Sequence, residues 1–129
     1  RAKQLQVILA PYVQAKRYEP FGPGDDLGAG IKALAATGHT PGHTGYVFSS
    51  QGQELWCIGD LIHIGRVQFA QPEAWVSFDS DGQQAIATRL DFFRRAAAGH
   101  VLLAGAHLPA LVRLEQKGAG FVAIPEPQQ

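Results

Sequence analysis

The chain has 129 residues, 46% of them apolar, which is enough for one hydrophobic core but not for two, so we predict one globular unit. Its 11 basic and 11 acidic residues give a formal net charge of zero, which removes the electrostatic argument for a nucleic-acid partner or an anionic membrane. No apolar run approaches the length of a membrane span, and a single cysteine, Cys57, excludes an internal disulfide framework.

The first element is a predicted helix over residues 2–15. An apolar stripe recurs along it at helical spacing and needs a surface to pack against. The members of this stripe are Leu5, Ile8, Leu9 and Tyr12. Because the chain opens inside this helix, starts at Arg1 and contains no Met, we expect it to be a piece of a longer protein.

A hairpin is predicted in the next part of the chain. Residues 19–30 are rich in Pro and Gly and are predicted to be a loop, which leads into a strand over residues 31–35. Two apolar runs follow, at 46–48 and 55–58, with polar residues and a glycine between them. The second run is nearly continuous in apolar residues, as in a strand covered on both faces, and includes Cys57, which we expect to be buried. Helices are therefore predicted to flank the sheet.

The strongest helix signal begins near residue 80. Ser80 followed by Gln83 fits a capping box, and an apolar face continues at helical spacing up to Gly99. This face consists of Ile86, Leu90, Phe93 and Ala97, with Arg89, Arg94 and Arg95 expected to point away from it. Residues 101–104 and 121–124 are predicted to be strands. The pattern as a whole predicts an α/β fold, a mixed sheet with flanking helices.

Three candidate metal ligands each stand where a predicted strand ends and a Gly-containing loop begins. His39 lies in GHTPGHT, Asp60 in CIGDLIH and His107 in AGAHLP. Imidazole and carboxylate are ordinary ligands of a hydrolytic zinc-type centre, and an isolated buried carboxylate is costly without a cation. From the residues alone two alternatives stay open: histidines satisfied by backbone hydrogen bonds in Gly-rich turns, and an aspartate that caps the turn after it.

Two more histidines lie beside these positions. His43 follows His39 by four residues, but the Pro-Gly pair between them predicts a tight loop, so the two rings need not share one ion. His63 comes three residues after the aspartate and is predicted to face the same cavity. The stretch 79–82, DSDG, begins like a calcium loop but lacks its later Gly and distal Glu, and is predicted to be a helix cap.

In order and spacing, these motifs resemble the third, fourth and fifth metal motifs of the metallo-β-lactamase superfamily of metal-dependent hydrolases. GHTPGHT is followed by a hairpin, the Asp60 of GD comes 21 residues after His39, and the His107 of AGAH comes another 47 residues on. IGDLIH, the VQF at 67–69, the FDSD at 78–81 and the GAHLP at 105–109 are most similar to the methyl parathion hydrolase branch. The resemblance implies half of an αββα four-layer sandwich.

The resemblance also implies a role for each candidate. His39 is implied to bind one metal ion, Asp60 to bridge two ions and His107 to bind the other, so Asp60 and His107 are the implied catalytic residues. His43 and His63 are implied to lie outside the ligand set, with His63 lining the pocket. The implied cofactor is two divalent metal ions, zinc first, although such ligands also accept manganese, cobalt or iron.

The remaining ligands of the superfamily come from an HxHxDH motif in the first half of the fold, and no such sequence occurs here. We therefore expect residues 1–129 to form a single unit, the C-terminal half of the fold, which is inactive by itself. Its expected partner is the missing N-terminal half of the same domain, and a homodimer is left open. The localisation is left open between bacterial cytoplasm and periplasm.

The implied chemistry of the complete protein is attack by a metal-bridging hydroxide on a carbonyl or phosphoryl centre. A small lactone or ester is the expected substrate, with phosphotriester cleavage as a side reaction. Two other activities on the same fold stay open, a glyoxalase-like thioesterase and a single-iron dioxygenase. A non-catalytic structural fragment that packs against a partner is the alternative of a different class.

Overall fold

Seven strands form one sheet in which spatial order follows chain order, in a computed structural model that describes residues 2–127. The strands are β1 (Asp26–Gly28), β2 (Ile31–Ala35), β3 (Thr44–Ser50), β4 (Gln53–Cys57), β5 (Leu102–Ala104), β6 (Val112–Lys117) and β7 (Gly120–Pro125). The helices are α1 (Ala2–Gln14), α2 (Gly65–Gln68) and α3 (Gly82–Ala98), and a 3-10 turn spans Gly59–Leu61. All neighbouring strands are antiparallel except β4 and β5, so the expected mixed sheet with flanking helices is confirmed.

The parallel pair β4–β5 explains the position of the longest helix. Parallel neighbours cannot be joined by a tight turn and need a crossover, and the chain between these two strands carries the 3-10 turn, α2 and α3. Helix α3 packs on one face of the sheet, where Phe92 meets Trp56 edge to face with ring centroids 5.7 Å apart. Phe93 meets Phe121 in the same way at 5.3 Å. The hydrophobic core therefore lies between α3 and this face.

The opposite face of the sheet carries apolar side chains that remain partly exposed. Its members include Phe48, Leu55, Cys57, Leu102, Val122 and Ile124, and we call this surface the open face. Successive residues of a strand point to opposite faces, so Trp56 is buried under α3 while its neighbours Leu55 and Cys57 are only half-buried. Cys57 was predicted to be buried and is only half-buried, although burial still raises the pKa of its thiol.

Helix α1 forms as predicted, but most of its apolar stripe stays exposed in the part of the protein that the structure describes. Leu5, Ile8 and Tyr12 are each more than half exposed. Near this end of the chain, Phe21 covers one corner of the sheet by packing edge to face on Tyr46. None of the helices that the structure describes is both long enough and apolar enough to cross a membrane.

Two predictions about α3 were wrong. The N-terminal cap is Asp81, whose side chain accepts a hydrogen bond from the Gln84 N–H at 2.9 Å, rather than the Ser80 of the predicted capping box. Arg89 was expected to point away from the core, yet it is 1% exposed. The buried face consists of Ala85, Thr88, Arg89, Phe92, Phe93 and Ala96. Hydrophobic periodicity misses this face because arginine is counted as a solvent-exposed residue. Arg89 instead donates hydrogen bonds to backbone carbonyls inside the protein.

Two strands escaped prediction. β1 lies inside the predicted loop at 19–30 and is only three residues long. In β6 the alternation of apolar and polar residues is lost at Glu115, because its last three residues are all polar and exposed. This strand is held mainly by its pairing with β7. The hairpin between β3 and β4 is confirmed, and its turn residues Gln51 and Gly52 both have positive φ, the geometry that matches the twist of the strands.

We predict that Gly38→Ala strongly destabilises the protein. Gly38 has a φ of 127°, and a Cβ there would lie 2.3 Å from the backbone nitrogen of Ala85 at the start of α3. Relieving this overlap requires the loop and the helix to separate, which we expect to lower the free energy of unfolding by about 2 kcal/mol or more. The midpoint of urea denaturation measures the change.

The matched control is Gly42→Ala in the same loop, where an added Cβ meets nothing within 4 Å. This variant is expected to stay within about 0.5 kcal/mol of the parent. Equal denaturation midpoints for both variants would mean that α3 does not pack against the loop of Gly38.

Candidate metal centre

Three strands end at one edge of the sheet and bring the candidate ligands together. β2 and β4 run in the same direction because each is antiparallel to β3, and β5 is parallel to β4. Their carboxyl ends therefore lie along one edge. His39 follows β2, Asp60 follows β4 and His107 follows β5, so residues far apart in sequence meet at this edge.

Asp60 lies between the other two candidates. Its Oδ2 is 3.5 Å from Nε2 of His39, and its Oδ1 is 3.2 Å from Nε2 of His107. Each carboxylate oxygen thus faces a different imidazole. The side chain of His39 is 18% exposed and that of His107 is 47% exposed, so the cluster has an inner and an outer side.

His63 lies between the two candidate imidazoles. Its ring centroid is 4.9 Å from that of His39 and 5.0 Å from that of His107. Burial lowers the pKa of His63, and the charge of His39 lowers it further, whereas Asp79 opposes the shift. A lowered pKa favours the neutral ring, which is the form that binds metal or accepts a hydrogen bond. Among the described residues its Nδ1 is buried without a hydrogen-bond partner.

Two groups of donor atoms at this edge are close enough to hold an ion. One consists of Asp60, His63 and His107, and the other of His39, His63 and Asp79, with the donor atoms of each group within 4.8 Å of one another. Imidazole nitrogen and carboxylate oxygen are donors that zinc and similar divalent ions accept. The chemistry of the donor set therefore fits a divalent metal centre.

His43 uses both ring nitrogens on the backbone. Its Nδ1 is 2.7 Å from the carbonyl oxygen of Ala36, and its Nε2 accepts a hydrogen bond from the Asp60 N–H at 3.0 Å. Because Nε2 accepts, the ring proton must be on Nδ1, where it is donated to Ala36. His43 thus ties the end of β2 to Asp60 and has no nitrogen left for a cation. Gly59 leaves room for this ring, since a Cβ there would lie 2.7 Å from Nε2.

Asp79 is a site residue that the sequence analysis missed. It is 1% exposed, and its Oδ1 is 3.2 Å from Nδ1 of His39, on the side of the ring away from Asp60. The stretch 79–82 was predicted to be a helix cap, and this is confirmed, with Asp81 as the capping residue. One signal could have found Asp79. A helix needs only one side-chain cap, so the presence of two aspartates in DSDG indicates that one of them has another role.

Arg89 and Gln68 hold the loops that carry these residues. Arg89 donates from Nε to the carbonyl of Leu61 at 2.9 Å, and from Nη1 to the carbonyls of Pro72 and Ala74 at 2.7 and 2.8 Å. Gln68 accepts from the N–H groups of His63 and Ile64 at 2.7 and 3.0 Å and donates to Ala74. Both side chains are about 1% exposed, so their polar groups are buried but paired. These contacts fix the path of the chain on either side of α2.

Solved structures similar to this chain are hydrolases. A hydrolase of the beta lactamase superfamily, AbOPH, matches with a TM-score of 0.90 and 31% identity, over 98% of this chain and 44% of that chain. AidC, a dizinc quorum-quenching lactonase in complex with a product, N-hexanoyl-L-homoserine, matches with a TM-score of 0.87 and 30% identity, over 98% of this chain and 43% of that chain.

A probable metal-dependent hydrolase from Staphylococcus aureus matches with a TM-score of 0.71 over 89% of this chain and 42% of that chain, and at 19% identity this likeness shows the fold alone. No family model and no curated protein sequence matches the chain. The chain thus spans less than half the length of the solved proteins to which it is similar.

We predict that Asp60→Ala and His39→Ala each lose bound metal, whereas His43→Ala retains most of it. Asp60 and His39 offer donor atoms to the shared space, while His43 acts only on the backbone of Asp60. Loss of such support typically weakens metal binding by about tenfold to a hundredfold rather than abolishing it. Elemental analysis of the desalted full-length protein gives the metal content. Equal losses in His39→Ala and His43→Ala would show that the wrong histidine has been assigned as the ligand.

Proposed function

Because the chain belongs to the metallo-β-lactamase superfamily, we propose that it forms the C-terminal half of a metal-dependent hydrolase, in which His39, Asp60 and His107 are metal ligands. The observation that carries this proposal is the position of Asp60, with Oδ2 facing His39 and Oδ1 facing His107. The donor chemistry and the dizinc centre named for AidC support it. Zinc is the expected ion, and the ligand set would also accept manganese, cobalt or iron.

Two divalent ions bound at this edge would lower the pKa of water and stabilise negative charge that develops on a substrate oxygen. The chain's own residues hold the donors in place. His43 fixes the backbone of Asp60 and leaves both carboxylate oxygens available. His63 lies between the rings of His39 and His107, where it can contact the substrate or the leaving group.

A small lactone or ester is the substrate class that we propose, with phosphotriester cleavage as a side reaction. AidC, which aligns with 98% of this chain at 30% identity, is described as a lactonase. Apolar side chains lie beside the site: the Phe78 ring is 70% exposed and lies 5.8 Å from that of His63, and Ile64, the next residue after His63, is 46% exposed. These side chains would receive an acyl chain or an aryl group beside the carbonyl that reacts.

The partner that we propose for the open face is the N-terminal half of the same fold. Two sheets packed face to face each need an apolar inner surface, and the open face presents Phe48, Val122 and Ile124 at about 40% exposure. The stripe on α1 is a second apolar surface, most of which stays exposed among residues 2–127. The first half would also supply the ligands of the HxHxDH motif.

We predict that the full-length protein contains about two divalent ions per chain and hydrolyses an N-acyl homoserine lactone or an aryl ester. Prolonged dialysis against a chelator is expected to abolish this activity, and added zinc to restore it. The comparison is residues 1–129 expressed alone, which should bind less metal and be inactive because part of the ligand set is missing. Intact mass, elemental analysis and a hydrolysis assay are measured on the same samples.

The outcomes separate the alternatives. One iron ion per chain, together with oxygen uptake on a persulfide, would favour the dioxygenase, and preferential cleavage of a thioester would favour the glyoxalase-like enzyme. A full-length protein with neither metal nor hydrolytic activity would contradict the proposal and favour the non-catalytic fragment.

A further inference from the structure

We propose that Asp79 and Arg89 are positioning residues that set the direction and the tautomer of His39, so that its Nε2 is the nitrogen presented to a metal ion. This inference rests on the proposed function, because it assumes that His39 is a ligand. Neither residue touches the space between the candidate ligands. Both would act through His39 and through the loop of Asp60.

The contacts form a continuous path from α3 to the centre. Arg89 Nη2 lies 3.8 Å from Oδ2 of Asp79, Oδ1 of Asp79 lies 3.2 Å from Nδ1 of His39, and Nε2 of His39 lies 3.5 Å from Oδ2 of Asp60. A carboxylate oxygen accepts a hydrogen bond from a ring N–H, so this contact favours the tautomer with the proton on Nδ1. Nε2 is then unprotonated and carries the lone pair that faces Asp60.

Asp79 is held rigidly enough for this task. It is 1% exposed, and the backbone around it is pinned to the His39 loop by two hydrogen bonds, from Ser80 N–H to the carbonyl of His39 and from Asp81 N–H to the carbonyl of Gly38. The imidazole of His39 and the carboxylate of Asp79 are therefore held against each other, and so are the two backbone segments that carry them. His107 lacks a comparable carboxylate behind its ring among the described residues and is 47% exposed, which makes His39 the better fixed of the two.

Arg89 supplies the positive charge that a buried carboxylate needs. At 3.8 Å the pair is too long for a hydrogen bond, and Oδ2 of Asp79 has no hydrogen-bond partner in residues 2–127, so the interaction is one of charge. The other nitrogens of the same guanidinium hold the carbonyls of Leu61, Pro72 and Ala74. One side chain thus fixes both the carboxylate behind His39 and the residue that follows Asp60. A lysine ammonium has no rigid fork and cannot meet all these acceptors at once.

A competing arrangement would place an ion directly among His39, His63 and Asp79, whose donor atoms lie within 4.8 Å of one another. Asp79 is less suited to that role, because its free Oδ2 faces the guanidinium of Arg89 and a cation there would be repelled. The two arrangements predict different metal counts. A positioning carboxylate changes affinity, whereas a ligand changes stoichiometry.

The test is Asp79→Asn in the full-length protein loaded with zinc. Asparagine keeps the shape but can face Nδ1 with either oxygen or nitrogen, so the tautomer of His39 is no longer enforced. We expect the same number of zinc ions per chain, about tenfold to a hundredfold weaker zinc binding in competition with a chromophoric chelator, and a shifted Nδ1–H resonance of His39 in imidazole proton–nitrogen correlation spectra.

The matched control is Asp81→Asn, two residues away, since asparagine caps a helix as well as aspartate and Asp81 makes no contact with His39. Its zinc affinity and its His39 resonance should match the parent. Arg89→Lys is expected to weaken zinc binding in the same direction as Asp79→Asn, and the double variant should lose less than the sum of the two, because both act on one ring. Arg94→Lys, exposed on the same helix, is its control. Circular dichroism checks that each variant is folded.

Unchanged zinc affinity and an unchanged His39 resonance in folded Asp79→Asn would overturn this inference and leave the proposed function intact. Loss of one whole zinc ion per chain in that variant would also overturn it, by making Asp79 a ligand. A full-length parent protein that binds no zinc would overturn both.

Discussion

The burial of one guanidinium is the constraint on which the geometry of the metal centre depends. Arg89 comes from the middle of α3, on the face that packs against the sheet, and burying a charge there is costly unless acceptors surround it. Three backbone carbonyls and one carboxylate supply them, all from the connection between β4 and α3. That connection has little regular structure of its own, and it follows a defined path because its carbonyls must meet the arginine.

The sheet provides the second part of the arrangement. β2, β4 and β5 run in the same direction and end at one edge of the sheet. The loops that follow them are distant in the sequence but therefore start close together. The sheet fixes where the loops start, and α3 fixes where they go. His43 connects the end of β2 to the loop after β4, since its ring binds the carbonyl of Ala36 and the N–H of Asp60. His39 is thereby held from behind by Asp79, and the backbone of Asp60 is held by His43.

The parts of the molecule that the sequence predicts are those with a periodic or a composition signal. The strand at 31–35, the hairpin, the extent of α3 and the convergence of His39, Asp60 and His107 all belong to this class. The roles of Asp79 and Arg89 have no such signal. They depend on a contact between a loop residue and a helix residue ten positions apart, which neither periodicity nor composition reports. A pattern that assigns charged residues to solvent places Arg89 on the wrong side of its helix. The same limitation hid β6, whose outer half is polar.

Phe78 and Asp79 are adjacent, yet Phe78 is exposed and the side chain of Asp79 is buried. The Phe78 ring faces outward beside His63, whereas the Asp79 carboxylate faces inward behind His39. Replacement of Phe78 can therefore change the surface beside His63 while the contacts of Asp79 and Arg89 stay as they are. A descendant that kept Arg89 and Asp79 but varied such an outward residue could accept new substrates without rebuilding its metal centre.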